Sequence, residues 1–271
     1  MQKQNEKEKS EVPALEASIK ILEYLSRYKS KERSLSQISK NLSLNKSTCH
    51  RILKLLNQYR YVTYDENSKQ YNLGPYLIIL GSRASEFSDY LRLAKPYLKW
   101  ACEQTRLTSV LLEPLSNDRL MYVAKEELDL PDNPVQVTVK LGQHFPVTSA
   151  SFGKCYLAFL EEERTKEIIQ KVNFKQFTDK SITDFETFQE SLNEVKRKGY
   201  AVSYEEHTSD VFGVAAPIFD LYGDIKMVIA CIGFASKISE EHISFCGDKL
   251  KEASKGIMEV IGGKEPVYNK I

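Results

Sequence analysis

Lys46, Ser47, Thr48, His50, Arg51 and Lys54 crowd small polar and cationic side chains into nine residues, between positions that are mostly apolar. Lysine and arginine neutralise phosphates, arginine can fork onto a base edge, and serine or threonine donates at short range. The chemistry this set suits is recognition of duplex DNA. No comparable set suits catalysis. The chain has no G-x-S-x-G elbow, no P-loop and no G-x-G-x-x-G. Its four histidines (His50, His144, His207 and His242) are scattered. Glu205, Glu206 and His207 resemble a ligand cluster but lack Cys or His partners at metal spacing, so local hydrogen bonding is the better reading. Cys155 reads either as a thiol activated behind an anion-binding turn or as a small packed hydrophobe within KCYLAFL, and the second is preferred. The expectation is a protein that is not an enzyme, with no cofactor and no metal.

These cations need a helix to carry them and a second helix to brace it. Ser34 and Gln37 stand at capping-box spacing, so a helix is expected to begin at Leu35, with Leu35, Ile38 and Leu42 on one face. The polar break Asn41–Ser43 ends it, and Asn45 is a natural N-cap for the next helix. That second helix, Lys46–Gln58, has Ile52, Leu53, Leu56 and Tyr59 as its apolar stripe. Its N-terminal turn offers donors with the positive end of the helix dipole behind them. Tyr61–Tyr64 and Gln70–Gly74 are strand-like runs separated by the polar turn Asp65–Lys69. They read as a hairpin wing able to lay Lys69 on a phosphate. An ordinary amphipathic helix pair with a solvated face is the bland alternative.

Charge distribution favours DNA. The chain of 271 residues has a net charge of +1, but residues 20–74 hold 11 Lys and Arg against 4 Asp and Glu. A basic segment that coincides with the helix pair, on a mildly acidic remainder, is the footprint of a polyanion-binding head. The length suits two domains. The polar start MQKQNEKEKS is not signal-like and no apolar run could span a bilayer, so a cytoplasmic protein without membrane partners is expected. The odd, dispersed set of five cysteines fits reduced thiols.

Residues 1–13 read as a disordered tail, and Ala14–Tyr28 as a supporting helix with Leu15, Ile19, Leu22 and Leu25 inward. Residues 14–75 make the head. A linker helix follows over 76–90, with Leu77, Leu80, Ala84 and Phe87 on one edge and a bend at Gly81. It serves either its own domain or a second subunit, and the dimer is favoured because paired half-sites raise affinity. From 91 to 264 the pattern is α+β. A helix containing Trp100 precedes strand-like runs at Thr108–Pro114, Leu120–Ala124, Val135–Lys140, Tyr200–Glu205, Val211–Phe219 and Ile225–Phe234. Helices are expected at Ser149–Leu160, Glu162–Val172, Asp184–Lys198 (Phe185, Phe188, Leu192 and Val195 inward) and Glu240–Ile261. A mostly antiparallel sheet with helices can hold a small ligand in its concave face.

With these blocks in order (SIKILEYL, LSQISKNLSLNKSTCHRILKLL, YNLGPYLIILG, LGQHFPVTSASFGKCYLAFL, ITDFETF and GYAVSYEEHTSDVFGVAAPIFD), the chain resembles the IclR family of bacterial transcriptional regulators from about Ala14 to Gly262. The resemblance implies a winged helix-turn-helix head, a GAF-like effector domain with an antiparallel sheet flanked by helices, and homodimers or homotetramers. It also implies repression modulated by a small molecule, often an organic or aromatic acid. The DNA-facing set is then Ser36, Asn45, Lys46, Ser47, Thr48, His50, Arg51, Lys54, Arg60 and Lys69. Arg60 stands where the family usually has glycine, so a left-handed backbone there would cost about 1 kcal/mol or more. The effector set is Ser151, Phe152 and Gly153, a turn before a helix whose amides could receive a carbonyl or anion, together with Ser203, Gly213, Ala230 and Ile232. At these positions relatives that bind small carboxylic acids place acidic, thiol or hydroxyl groups. The small or apolar residues here point to a larger or more apolar ligand, or to none. The rival readings are a ligand-binding or interaction module with a degenerate head, and an enzyme with an inherited head.

Overall fold

The computed structural model describes residues 12–27, 33–86, 89–128, 137–172 and 174–266. The chain divides into two compact units, residues 1–88 and 89–271.

In the first unit α1 (Pro13–Ser26), α2 (Leu35–Asn41) and α3 (Lys46–Gln58) precede a hairpin of β1 (Val62–Asp65) and β2 (Gln70–Leu73). Helix α1 opens on Pro13, whose missing N–H costs nothing at a first helical position, so the expected tail loses that residue; residues 1–11 lie outside the described ones. The capping box forms as expected: Ser34 Oγ accepts from the Gln37 amide at 3.4 Å and Gln37 Oε1 from the Ser34 amide at 3.1 Å. Ala17, Ile21, Tyr24 and Leu25 of α1 meet Ile38, Cys49, Ile52, Leu53, Val62 and Tyr71 in one core. This corrects the inward face of α1, because Leu15 and Ile19 are 58% and 48% exposed. Tyr59 also leaves the α3 stripe, since it is the C-cap and points to solvent, and Cys49 takes the buried position instead.

The expected linker helix over 76–90 is α4 (Tyr76–Glu86), with residues 87 and 88, and hence Phe87, outside the described ones; the expected helix containing Trp100 is α5 (Asp89–Thr105), which takes in the last two linker positions. Helix α4 runs through Gly81 without a break. Its expected inner edge is not buried: Leu77 is half-covered, while Leu80 and Ala84 are exposed.

In the second unit a six-stranded sheet has the order β5-β4-β3-β8-β7-β6, every pair antiparallel, from β3 (Thr108–Ser116), β4 (Arg119–Glu126), β5 (His144–Pro146), β6 (Ala201–Tyr204), β7 (Val211–Phe219) and β8 (Ile225–Phe234). Helix α6 (Ala150–Phe159) crosses β6, β7 and β8 and packs on α8 (Phe185–Lys198), while α9 (Glu240–Ile261) packs on α5 and on β7. Helix α7 (Glu162–Lys171) completes the set. The strand expected at Val135–Lys140 is corrected: 135 and 136 lie outside the described residues and Val137–Lys140 has no ladder partner among them, while the edge of the sheet is taken by His144–Pro146. Phe185, at the first turn of α8, is 44% exposed, whereas Phe188, Leu192 and Val195 are buried. Asp184 caps that helix and Gly199 closes it in the left-handed conformation, φ 76°. No described helix is long and apolar enough to cross a membrane.

Candidate functional sites

The head presents its polar residues outward. Helix α3 buries Cys49, Ile52 and Leu53, spaced three and four apart, so the opposite face carries Ser47, Arg51, Lys54 and Gln58 in one line. Lys46, Thr48 and His50 flank that line, and all of these side chains are exposed. Gln58 was missed by sequence reasoning; the i, i+4, i+7, i+11 spacing from Ser47 would have found it. Among the described residues Lys46, Arg51 and Lys54 have no acidic group within 4.0 Å. Asn45 Oδ1 accepts from the Ser47 amide at 2.9 Å and from Ser47 Oγ at 2.7 Å, so these two residues fix the start of α3 as well as facing outward. Ser36 is exposed in the first turn of α2.

Arg60 adopts the left-handed conformation at φ 59°, with the Tyr61 amide donating back to Leu56 O at 2.9 Å. That bond closes α3 in the manner of a Schellman end, normally a glycine position. Gly74 sits so close that a Cβ would lie 2.1 Å from Arg60 O, which locks the return of the wing onto the end of α3. At the wing tip, Asp65 Oδ1 accepts from the amides of Asn67 (2.8 Å) and Ser68 (3.3 Å), and Lys69 takes φ 56°. A side-chain bond from Ser68 and these amides hold the Asp65 carboxyl below its ordinary range.

The body holds its polar residues inward. A cavity of about 190 Å³ lies between the start of α6 and the sheet. Tyr122, Phe145 and Phe152 line it, with ring centroids 5.0 to 6.0 Å apart; Tyr122 meets both phenylalanines edge-on, and the two phenylalanines are tilted at 58°. His207 lines it too, its ring 5.2 Å from Phe145 and 4.3 Å from Phe177. Burial, and then the charge of Lys175, lower the pKa of that imidazole from 6.5. Among the described residues no Lys, Arg, Asp or Glu borders this cavity.

Ser151, Phe152, Ser203, Gly213 and Ile232 come together on this cavity. Two expected members do not. Gly153 faces the preceding segment, where a Cβ would lie 2.3 Å from Val147 O, so it is glycine for close packing. Ala230, paired with Val110 and Ala215 in mid-sheet, is fully buried one step in from the rim. The expected turn at Ser151–Gly153 is the first turn of α6 itself, entered through Ala150 at φ 59°. Among the described residues no side chain caps α6, and Ser151 Oγ, fully buried, has no partner. A Cβ on Gly213 would lie 2.8 Å from that oxygen, so glycine keeps the space open.

The acidic cluster is divided. Glu205 pairs with Lys180, and Glu206 meets Lys154, 5% exposed, at 2.5 Å. Among the described residues no group of three or more His, Cys, Asp and Glu could hold a metal. Cys155 is fully buried and its burial pushes the thiol pKa up, the reverse of activation.

The family model for the IclR helix-turn-helix domain matches residues 14–66, and that for the C-terminal part of IclR bacterial transcriptional regulators matches 85–259. The transcriptional repressor AllR of Salmonella paratyphi A is 28% identical over 254 residues, covering 94% of this chain and 92% of that protein. The crystal structure of an IclR transcriptional regulator from Alicyclobacillus acidocaldarius is 35% identical with a TM-score of 0.85, covering 94% of this chain and all of that one. An IclR homologue from Microbacterium hydrocarbonoxydans, crystallised with 4-hydroxybenzoate, shares the fold at 20% identity and a TM-score of 0.76, covering 92% of this chain and 98% of that one.

Proposed function

The chain belongs to the IclR family of bacterial transcriptional regulators, and from that premise we propose that it is a repressor in which α3 of each subunit of a homodimer reads one operator half-site. The observation that carries this is the exposed line Ser47, Arg51, Lys54 and Gln58 on the face of α3 opposite the head core, in which neither cation has an acidic partner among the described residues. Arg51 and Lys54 reach bases or phosphates; Arg60 and Lys69 supply backbone contacts on the wing side. A second subunit is supported by α4, where Ile78 and Ile79 are 74% and 46% exposed, and by exposed Leu15 and Ile19 on α1. Exposed apolar faces on two helices of one head are the kind of surface that a twofold partner covers.

The cavity under α6 is the effector site. Its aromatic walls suit an apolar ring or chain, and the Ser151 hydroxyl with the amides at the start of α6 suits an oxygen of that ligand. A ligand here acts by its different affinity for two arrangements of the heads. The test is fluorescence anisotropy with promoter DNA flanking the gene, titrated in salt. Specific binding with a steep salt dependence is expected, because phosphate contacts release counterions. Binding indifferent to salt, or absent at low ionic strength, would overturn the assignment. A thermal-shift screen of aliphatic and aromatic acids, repeated on Gly213→Leu, tests the cavity: hits are expected in the parent and lost in the variant.

A further inference from the structure

The effector cavity has a neighbour. A second cavity of about 270 Å³ opens beside it and shares Val137, Phe212 and Ile232 as lining. Its other walls include Arg106, Thr108, Lys237 and His242. The two compartments differ in charge. Among the described residues no Lys, Arg, Asp or Glu borders the first, whereas the second carries two cations. Both Arg106 and Lys237 are exposed, and among the described residues neither has an acidic partner within 4.0 Å.

Strand pairing runs one row of residues past both compartments. Ser203 is opposite Gly213, Gly213 opposite Ile232, and Ile232 opposite Thr108, so these four share one face in a single row across β6, β7, β8 and β3. Three inter-strand steps make the row roughly 14 Å long. Its two ends are polar and its middle is apolar. Among the described residues four buried side-chain polar atoms have no partner, on Thr108, Ser109, Ser151 and His207, and three of those residues line these two cavities. Buried polar groups are rarely left unsatisfied, so this concentration marks where a ligand would supply partners. Among the described residues a carboxylate confined to the first cavity would meet no lysine or arginine; carried one compartment further, it would meet one of each.

Resting on the assignment of the first cavity as the effector site, we propose that the effector is an elongated acid spanning both compartments. Its aromatic or aliphatic body packs against Tyr122, Phe145 and Phe152, and its carboxylate lies at Arg106 and Lys237. Calorimetric titration of the full chain with benzoate, phenylacetate, 4-phenylbutanoate, 6-phenylhexanoate and the neutral 6-phenylhexan-1-ol tests this. Affinity is expected to rise at least tenfold from phenylacetate to 6-phenylhexanoate. The double variant Arg106→Ala/Lys237→Ala, at two exposed positions, is expected to weaken 6-phenylhexanoate at least tenfold and leave the alcohol unchanged. Equal affinities along the series, or a double variant that binds 6-phenylhexanoate like the parent, overturn the proposal. So does a blank titration with every member. In each case the first cavity survives as the effector site if other compounds bind and Gly213→Leu abolishes them; if nothing in the wider screen binds, both readings fall.

Discussion

Helices α3 and α6 have similar lengths and both carry a serine at their second position, yet they meet their surroundings in opposite ways. Three of the thirteen residues of α3 are buried, against nine of the ten in α6. The start of α3 is satisfied from within, by Asn45, and its polar side chains face water. The start of α6 has no side-chain cap and leaves Ser151 Oγ without a partner among the described residues. An outward helix needs its own cap to hold together before DNA arrives. An inward helix, braced on both sides by sheet and helix, can leave donors open for a ligand, because packing holds it in place.

The contrast can be broken most severely from the buried side of α3. Leu53→Ala removes a fully buried side chain from a small core and is expected to destabilise the head by about 2–5 kcal/mol, read by chemical denaturation. Arg51→Ala on the opposite face should leave that transition unchanged while weakening operator binding by about 1–3 kcal/mol. An equal loss of folding stability in Arg51→Ala would show that the two faces are not separable. Asn45→Ala should cost about 1 kcal/mol of head stability, as a lost N-cap does. Ser151→Ala should be neutral or slightly stabilising without ligand, since it deletes an unsatisfied buried hydroxyl, and should weaken the binding of any hit.

The smallest expected effect is on pH. The folded pKa of His207 lies below its ordinary 6.5, so the folded body binds fewer protons there than the unfolded chain. Its contribution to stability is full above pH 6.5 and is lost as pH falls through the lower folded value. Melting temperatures measured between pH 5 and 8 should fall on the acid side, and less so in His207→Gln. A parent profile flat below pH 6.5 would remove this group as the cause.

Where periodicity and caps decide structure locally, the sequence was legible. The capping box at Ser34, the N-cap at Asn45, the bounds of α3 and the hairpin around Asp65–Lys69 all follow from neighbouring residues. Periodicity misplaced the buried face of α1, because Leu15 and Ile19 satisfy the same spacing as Ala17, Ile21 and Leu25, and only the positions of α3 and the hairpin choose between them. The edge strand at His144–Pro146 is three residues long, too short for an alternation to register. The resemblance supplied seven effector positions. Five reach the cavity, while Gly153 and Ala230 fall outside it because close packing and depth in the sheet are properties of contacts distant in sequence.

The sequence by itself determined that this chain has a basic helix-turn-helix head with a wing, followed by an antiparallel α+β body, because charge clustering, caps and apolar spacing act within a few residues of one another. Only the tertiary structure decided which donors lie open and where the cations fall. The orphan hydroxyls of Ser151 and Thr108 and the cavities beside Arg106 and Lys237 arise where strands far apart in the chain are brought into register. Long-range pairing of that kind leaves no periodic trace in the sequence itself.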